Sequence, residues 1–189
     1  AWISGQLAAR WGNADFARPE PYEGVCLGAE QHDVGMAEYD LRPQLDPETG
    51  GPRSFMDMPL ATHLELWTAA ARKLLTQSPF AALVCSMHGH ALYADDDTLE
   101  PDAEDSHAVK RFVEHCERFE ATLKRQMGID DTQARHIQKL VWAVDFLSLS
   151  CFMDWDPDSV PAPTTPDGDM TDIRVAKPEE PGVLEVDPW

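Results

Sequence analysis

Between Trp2 and Phe152 the apolar residues recur three and four positions apart, in segments separated by proline and glycine. Only a helix places such positions on one face, so this stretch is restricted to helices that each bury a stripe against their neighbours. The first segment carries Ile3, Leu7, Ala8 and Trp11 and is stopped by Gly12-Asn13. Pro19 and Pro21 open a second helix, which runs through VCLGAEQHDVGMAEYD. LRPQLDPETGGPRS, with three prolines and two glycines, reads as a long loop. A third helix spans 59–75, with Leu60, Leu64, Trp67, Ala71 and Leu74 on one side. Ser78 as N-cap and Pro79 at the first position begin a fourth, which continues to about Tyr93. The twelve residues 94–105 hold seven acids and read as a solvated loop. A fifth helix carries Val109, Phe112, Val113, Cys116, Phe119 and Leu123 and is closed by Gly128. Asp130 or Asp131 caps a sixth, through ARHIQKLVWAVDFLSLSCF.

After Asp154 the pattern changes, because seven of the 15 prolines fall in 154–189 and exclude helix from most of it. Two alternating pieces, IRVAK and VLEV, flank PEEPG and read as a β-hairpin. The expected fold class is therefore all-α, a bundle of about six helices with an irregular or β-hairpin C-terminal extension. The domain division is a helical domain at 1–153 and a Pro- and acid-rich extension at 154–189. The net charge of −19 leaves too few cations for a duplex-binding face or an anionic bilayer surface, so neither nucleic acid nor membrane is an expected partner. No apolar run approaches the ~20 residues of a membrane span. Cys26, Cys85, Cys116 and Cys151 form no CxxC motif, which reads as a reduced, cytoplasmic protein. Assembly into a homo-oligomer is left open.

Residues three and four positions away share a helical face and so sort the histidines. His32, His63 and His88 have largely apolar or small neighbours and read as inward. His90 lies about 200° around the helix from His88, in mixed surroundings. His107 and His136 read as solvated and His115 as a boundary residue. Asp145 sits among Val141, Trp142, Ser148 and Leu149, and no Lys or Arg occurs between Lys139 and Arg174 to pair with it locally. A buried carboxylate needs a compensating charge, which either a metal ion held with the inward histidines or a cation from a distant helix supplies; an Asp145 turned to the surface needs neither.

His32-Asp33, His63, His88 and Asp145, in that order on successive helices, resemble the HD-domain metalloenzymes. SGQLAARWGN, QHDVGMAEYD, LDPETGGPRSF and SMHGHALY are together similar to a bacterial HD-like family of unknown function. The resemblance implies an HD-like, N-terminally truncated domain whose first His ligand precedes Ala1. It implies two divalent ions, with iron, manganese, zinc and nickel not separated by ligand type. His32, Asp33 and Asp145 would hold the first, His63 and His88 the second, and Asp33 would bridge them. The implied activity is a metal-dependent phosphohydrolase of a small phosphate ester or nucleotide, using an acidified water. A di-iron oxygenase of a small polar substrate and a non-catalytic helical scaffold are the alternatives. Asp33 and His90 are the expected catalytic residues, His90 as proton donor or extra ligand. Arg42 and Arg53 are the candidate contacts to an anionic substrate, and Gln6, Gln31 and Tyr39 would orient ligands. Many HD enzymes place a lysine after the glycine that follows the doublet; here Met36 follows Gly35.

Overall fold

The computed structural model describes residues 1–94, 104–153, 158–165, 168–178 and 183–189. The helices are α1 (Trp2–Ala8), α2 (Tyr22–Gln31), a single turn α3 (Ala37–Asp40), α4 (Leu60–Leu74), α5 (Pro79–Ala91), α6 (Glu104–Met127) and α7 (Asp131–Ser150). Three strands follow, β1 (Ser159–Pro163), β2 (Met170–Ala176) and β3 (Glu185–Asp187). The expected helical bundle with a C-terminal hairpin is thus what forms, although most of the acidic stretch and the PEEPG turn lie outside the described residues.

α5 is the hub. Its sequence is apolar or small on every side, and every residue from Phe80 to Gly89 is buried. α2, α4, α6 and α7 all pack on it. Two glycines of α2 allow the closest of these approaches. A Cβ at Gly24 would lie 2.6 Å from the Phe80 ring, and one at Gly28 would lie 2.6 Å from Val84 Cβ. On the α4 side, a Cβ at Gly89 would lie 2.7 Å from the Trp67 ring. The caps agree with the sequence: Ser78 Oγ accepts from Ala81 N–H, Asp130 Oδ1 accepts from Gln133 N–H, and Gly128 takes φ +69° after α6.

The second helix departs from expectation. It does not run to Asp40 but ends at Gln31, with Asp33 at φ −90°, ψ 9°, before a tight turn at Val34–Met36. His32 ends it: its ring Nδ1 donates to the Ala29 carbonyl at 2.7 Å, capping a carbonyl that a continuing helix would engage. Helical periodicity cannot register this, since the apolar spacing persists through the break.

The C-terminal sheet has the order β1-β2-β3, all antiparallel. β2 and β3 form the hairpin read from IRVAK and VLEV, with Val175 opposite Val186. β1 was not among the expected strands, and it carries two prolines, Pro161 and Pro163. They are tolerated because β1 is an edge strand. Val160, Ala162, Ile173 and Val175 are buried on the sheet, and β1 packs on α7. This cover corrects the reading of His136 as solvated: it is 6% exposed, with its Nδ1 completely buried. Among the described residues, no helix is long and apolar enough to cross a membrane.

Candidate metal centre

The close approach of α2 to α5 sets His32 against His88, with ring centroids 4.5 Å apart. α7 delivers Asp145 between them: Oδ1 lies 3.0 Å from His32 Nε2, and Oδ2 lies 3.5 Å from His88 Nε2. Both histidines are buried, and Asp145 is largely so. Each of the three offers a ligand atom within 4.8 Å of the other two. Ligands about 2.0–2.2 Å from one ion stand roughly 3–4 Å apart, so the set fits a single ion after small adjustments.

His32 carries the clearest sign. Because its Nδ1 hydrogen is given to the Ala29 carbonyl, the second nitrogen is the one left to act. Nε2 is completely buried and has no hydrogen-bond partner, although it lies 3.0 and 3.3 Å from carboxylate oxygens of Asp145 and Asp33. His88 Nδ1 is likewise buried without a partner. Without an ion, burial acts against a charged His32, but Asp145 and then Asp33 prevail and raise its pKa to about 10. Burial, followed by the His32 charge, lowers His88 to about 4 and keeps it neutral. Asp145 and Asp33 are both held below the usual carboxylate range by His32, against the opposing effect of burial. Around Asp145, the single hydrogen of Ser4 Oγ is in reach of Ser148 Oγ at 3.0 Å or of the carboxylate at 3.4 Å, while Ser148 Oγ donates to the Asp145 carbonyl at 2.9 Å. Beneath His32, the Cys85 thiol donates to its carbonyl at 3.1 Å.

A family model described as a protein of unknown function, DUF3891, matches residues 1–189. The chain belongs to the DUF3891 family. No curated protein and no solved structure matches it.

In this DUF3891 protein His88 and Asp145 line a cavity of about 580 Å³, with His32 buried behind them. Glu30, Asp33, Asp40 and Asp145 line it together with Val34, Met36, Phe55, Trp67 and Leu149; no Lys or Arg lines it among the described residues. Asp33 lies beside the triad at the cavity wall, its side chain 41% exposed. His63 also lines the cavity, but both ring nitrogens are engaged. Trp67 Nε1–H donates to Nε2 at 3.0 Å, which leaves Nδ1–H for the Tyr93 hydroxyl. The expected second-ion pair of His63 and His88 is therefore not assembled.

Three further expectations are corrected by placement. His90 faces the other side of α5, as its angular offset from His88 requires, and its Nδ1 lies 3.2 Å from both carboxylate oxygens of Glu120 in a separate cleft. Arg42 is exposed and does not line the cavity. Arg53 lines a smaller neighbouring cavity with Tyr39, Asp40 and Phe55. Of the candidate orienting residues, Gln31 lines the triad's cavity, Tyr39 lines that of Arg53, and Gln6 lines neither. Ser4 and Ser148 were missed as supports of Asp145. Their signal was a pair of hydroxyls inside otherwise apolar stripes of the first and last helices.

Proposed function

We propose that this protein is a metal-dependent hydrolase of small phosphate esters that carry little negative charge, with one ion held by His32, His88 and Asp145. The observation that carries this reading is the buried His32 Nε2, left as the remaining ring nitrogen by the Nδ1 bond to Ala29 and placed 3.0 and 3.3 Å from carboxylate oxygens of Asp145 and Asp33. Two imidazoles and one carboxylate leave open positions on a divalent ion, which would acidify a bound water. Asp33, beside His32 on the cavity wall, is placed to accept the proton of that water. Ser4 can hold the Asp145 carboxylate, while Ser148 bonds the Asp145 carbonyl beside it. The HD-like order of ligands supports phosphate esters as the class. The carboxylate-bearing walls, with no Lys or Arg lining them among the described residues, favour a singly charged phosphodiester over a nucleoside polyphosphate.

A second reading, an iron-dependent oxygenase, is favoured by the two-histidine, one-carboxylate donor set. The two are separated by loading the protein with zinc, manganese or ferrous iron, counting bound metal, and assaying bis(p-nitrophenyl) phosphate cleavage beside dioxygen uptake. The expected result is about one ion per chain with phosphodiester cleavage. Asp33→Asn is expected to retain the ion and lose roughly a hundredfold in turnover, the usual range for a removed general base. Iron-dependent dioxygen consumption without cleavage overturns hydrolysis in favour of oxygenation, and failure to bind any of the three ions leaves the helical scaffold.

A further inference from the structure

α5 presents His88 to the metal centre and, two residues later, His90 to a cleft on its opposite side. That cleft, between α5, α6 and α7, has a volume of about 600 Å³. Its floor is the buried Glu120, whose Oε1 accepts from Ser86 Oγ at 3.0 Å and whose two oxygens each lie 3.2 Å from His90 Nδ1. Lys124, Arg135 and Lys139 stand on its walls. The acids facing them are already engaged: Glu120 by Ser86 and His90, and Asp131 by Lys124 at 2.7 Å. Arg135 and Lys139 hold no ion pair among the described residues. They sit one turn apart on α7, where like charges repel unless an anion lies between them. In a chain with 34 acids and 15 Lys plus Arg, this concentration of cations on one cleft is against the trend of the whole molecule.

We propose that this cleft binds a small phosphorylated molecule, with Arg135 and Lys139 meeting the phosphate and Trp142 receiving the organic body. Phosphate is the fitting anion because a guanidinium fork and an ammonium group one turn away match an oxyanion of several oxygens and more than one charge. A bare phosphate fills only a small part of the cleft, and Trp142, with Met87, Ala91 and Ala134, gives the rest an apolar lining. The molecule's overall acidity excludes the same phosphate presented on an anionic bilayer. Trp142 is also the partition between the two cavities, since its ring packs on His88 at 5.6 Å between centroids. Occupancy of the cleft therefore reaches a residue of the metal centre through one side chain. This site stands independently of what the metal centre does.

The test is calorimetric titration of the full chain with inorganic phosphate and with phenylphosphonate, a probe that cannot be hydrolysed. Both are expected to bind, phenylphosphonate at least about tenfold tighter through its ring. Arg135→Gln with Lys139→Gln, both on exposed positions of α7, is expected to weaken phenylphosphonate at least about tenfold. Lys110→Gln with Arg118→Gln removes the same charge from elsewhere on α6 and is expected to leave it unchanged. Equal binding by the two double variants, or no binding by the wild type at millimolar probe, overturns the site. Binding that survives the α7 substitutions but is abolished by a chelator puts the anion at the metal centre and overturns it too. Equal affinity for the two probes overturns the role given to Trp142.

Discussion

His32 has one nitrogen committed to a backbone carbonyl and the other enclosed beside two carboxylates. His63 faces the same cavity with both nitrogens taken by Trp67 and Tyr93. The difference predicts that His63→Gln keeps the ion, whereas His88→Gln weakens it at least about tenfold, read by competition with a chromogenic chelator. Loss of the ion on changing His63 would restore the two-ion arrangement. His32, His88 and Asp145 were legible in the sequence because their helical neighbours are apolar or small, and a polar group on such a face must find a partner inside. His63 passed the same filter, since spacing shows which way a side chain points but not what already occupies it. His136 failed it in the other direction, because what buries it arrives from a segment about thirty residues further along the chain.

The ligands meet because α2 and α5 touch closely. Gly28→Ala would set a methyl group 2.6 Å from Val84 Cβ, a backbone-borne clash that Val84 cannot swing away from. Overpacking of this kind costs about 1–3 kcal/mol, and here it is expected to lower metal affinity as well by separating His32 from His88. Gly128→Ala is the contrast. It has open space around it but φ +69°, so it is expected to cost about 1 kcal/mol and leave metal affinity unchanged. Ser78→Ala removes the acceptor for Ala81 N–H at the start of α5 and is expected to cost about 1 kcal/mol in denaturant unfolding. The long helices and their caps could be read from periodicity and breakers. The end of α2 at His32 could not, because a side-chain hydrogen bond rather than a change of spacing produces it. Strand β1 was not among the expected strands either, and the edge position that accommodates its prolines shows only in the sheet.

At the scale of the whole molecule, the C-terminal sheet does not stand apart from the bundle: β1 lies on α7, and the segment after β1 covers His136. Burial is the main cause that holds His136 below its usual pKa, against the opposing effect of the Thr165 backbone. The folded protein therefore keeps it neutral at a pH where the unfolded chain would protonate it. Its contribution to stability is present above an unfolded pKa of about 6.5 and is lost as pH falls through that value toward the lowered one. Thermal unfolding between about pH 5 and 8 is expected to show a shallower acid-side decline for His136→Asn than for the wild type. Identical slopes would mean that His136 is not sealed by the sheet.

The thiol beneath His32 offers a clock. Cys85 is enclosed between α2 and α5, and burial pushes its pKa far up, so a thiol reagent meets neither an exposed nor an ionised sulfur in the folded chain. Cys26 and Cys151 are partly exposed and react ahead of it. The slow modification of Cys85 then reports how often the two helices part, and an ion bridging His32 and His88 must make that event rarer. Its labelling rate turns occupancy of a spectroscopically silent metal such as zinc into a measurable lifetime of the closed interface.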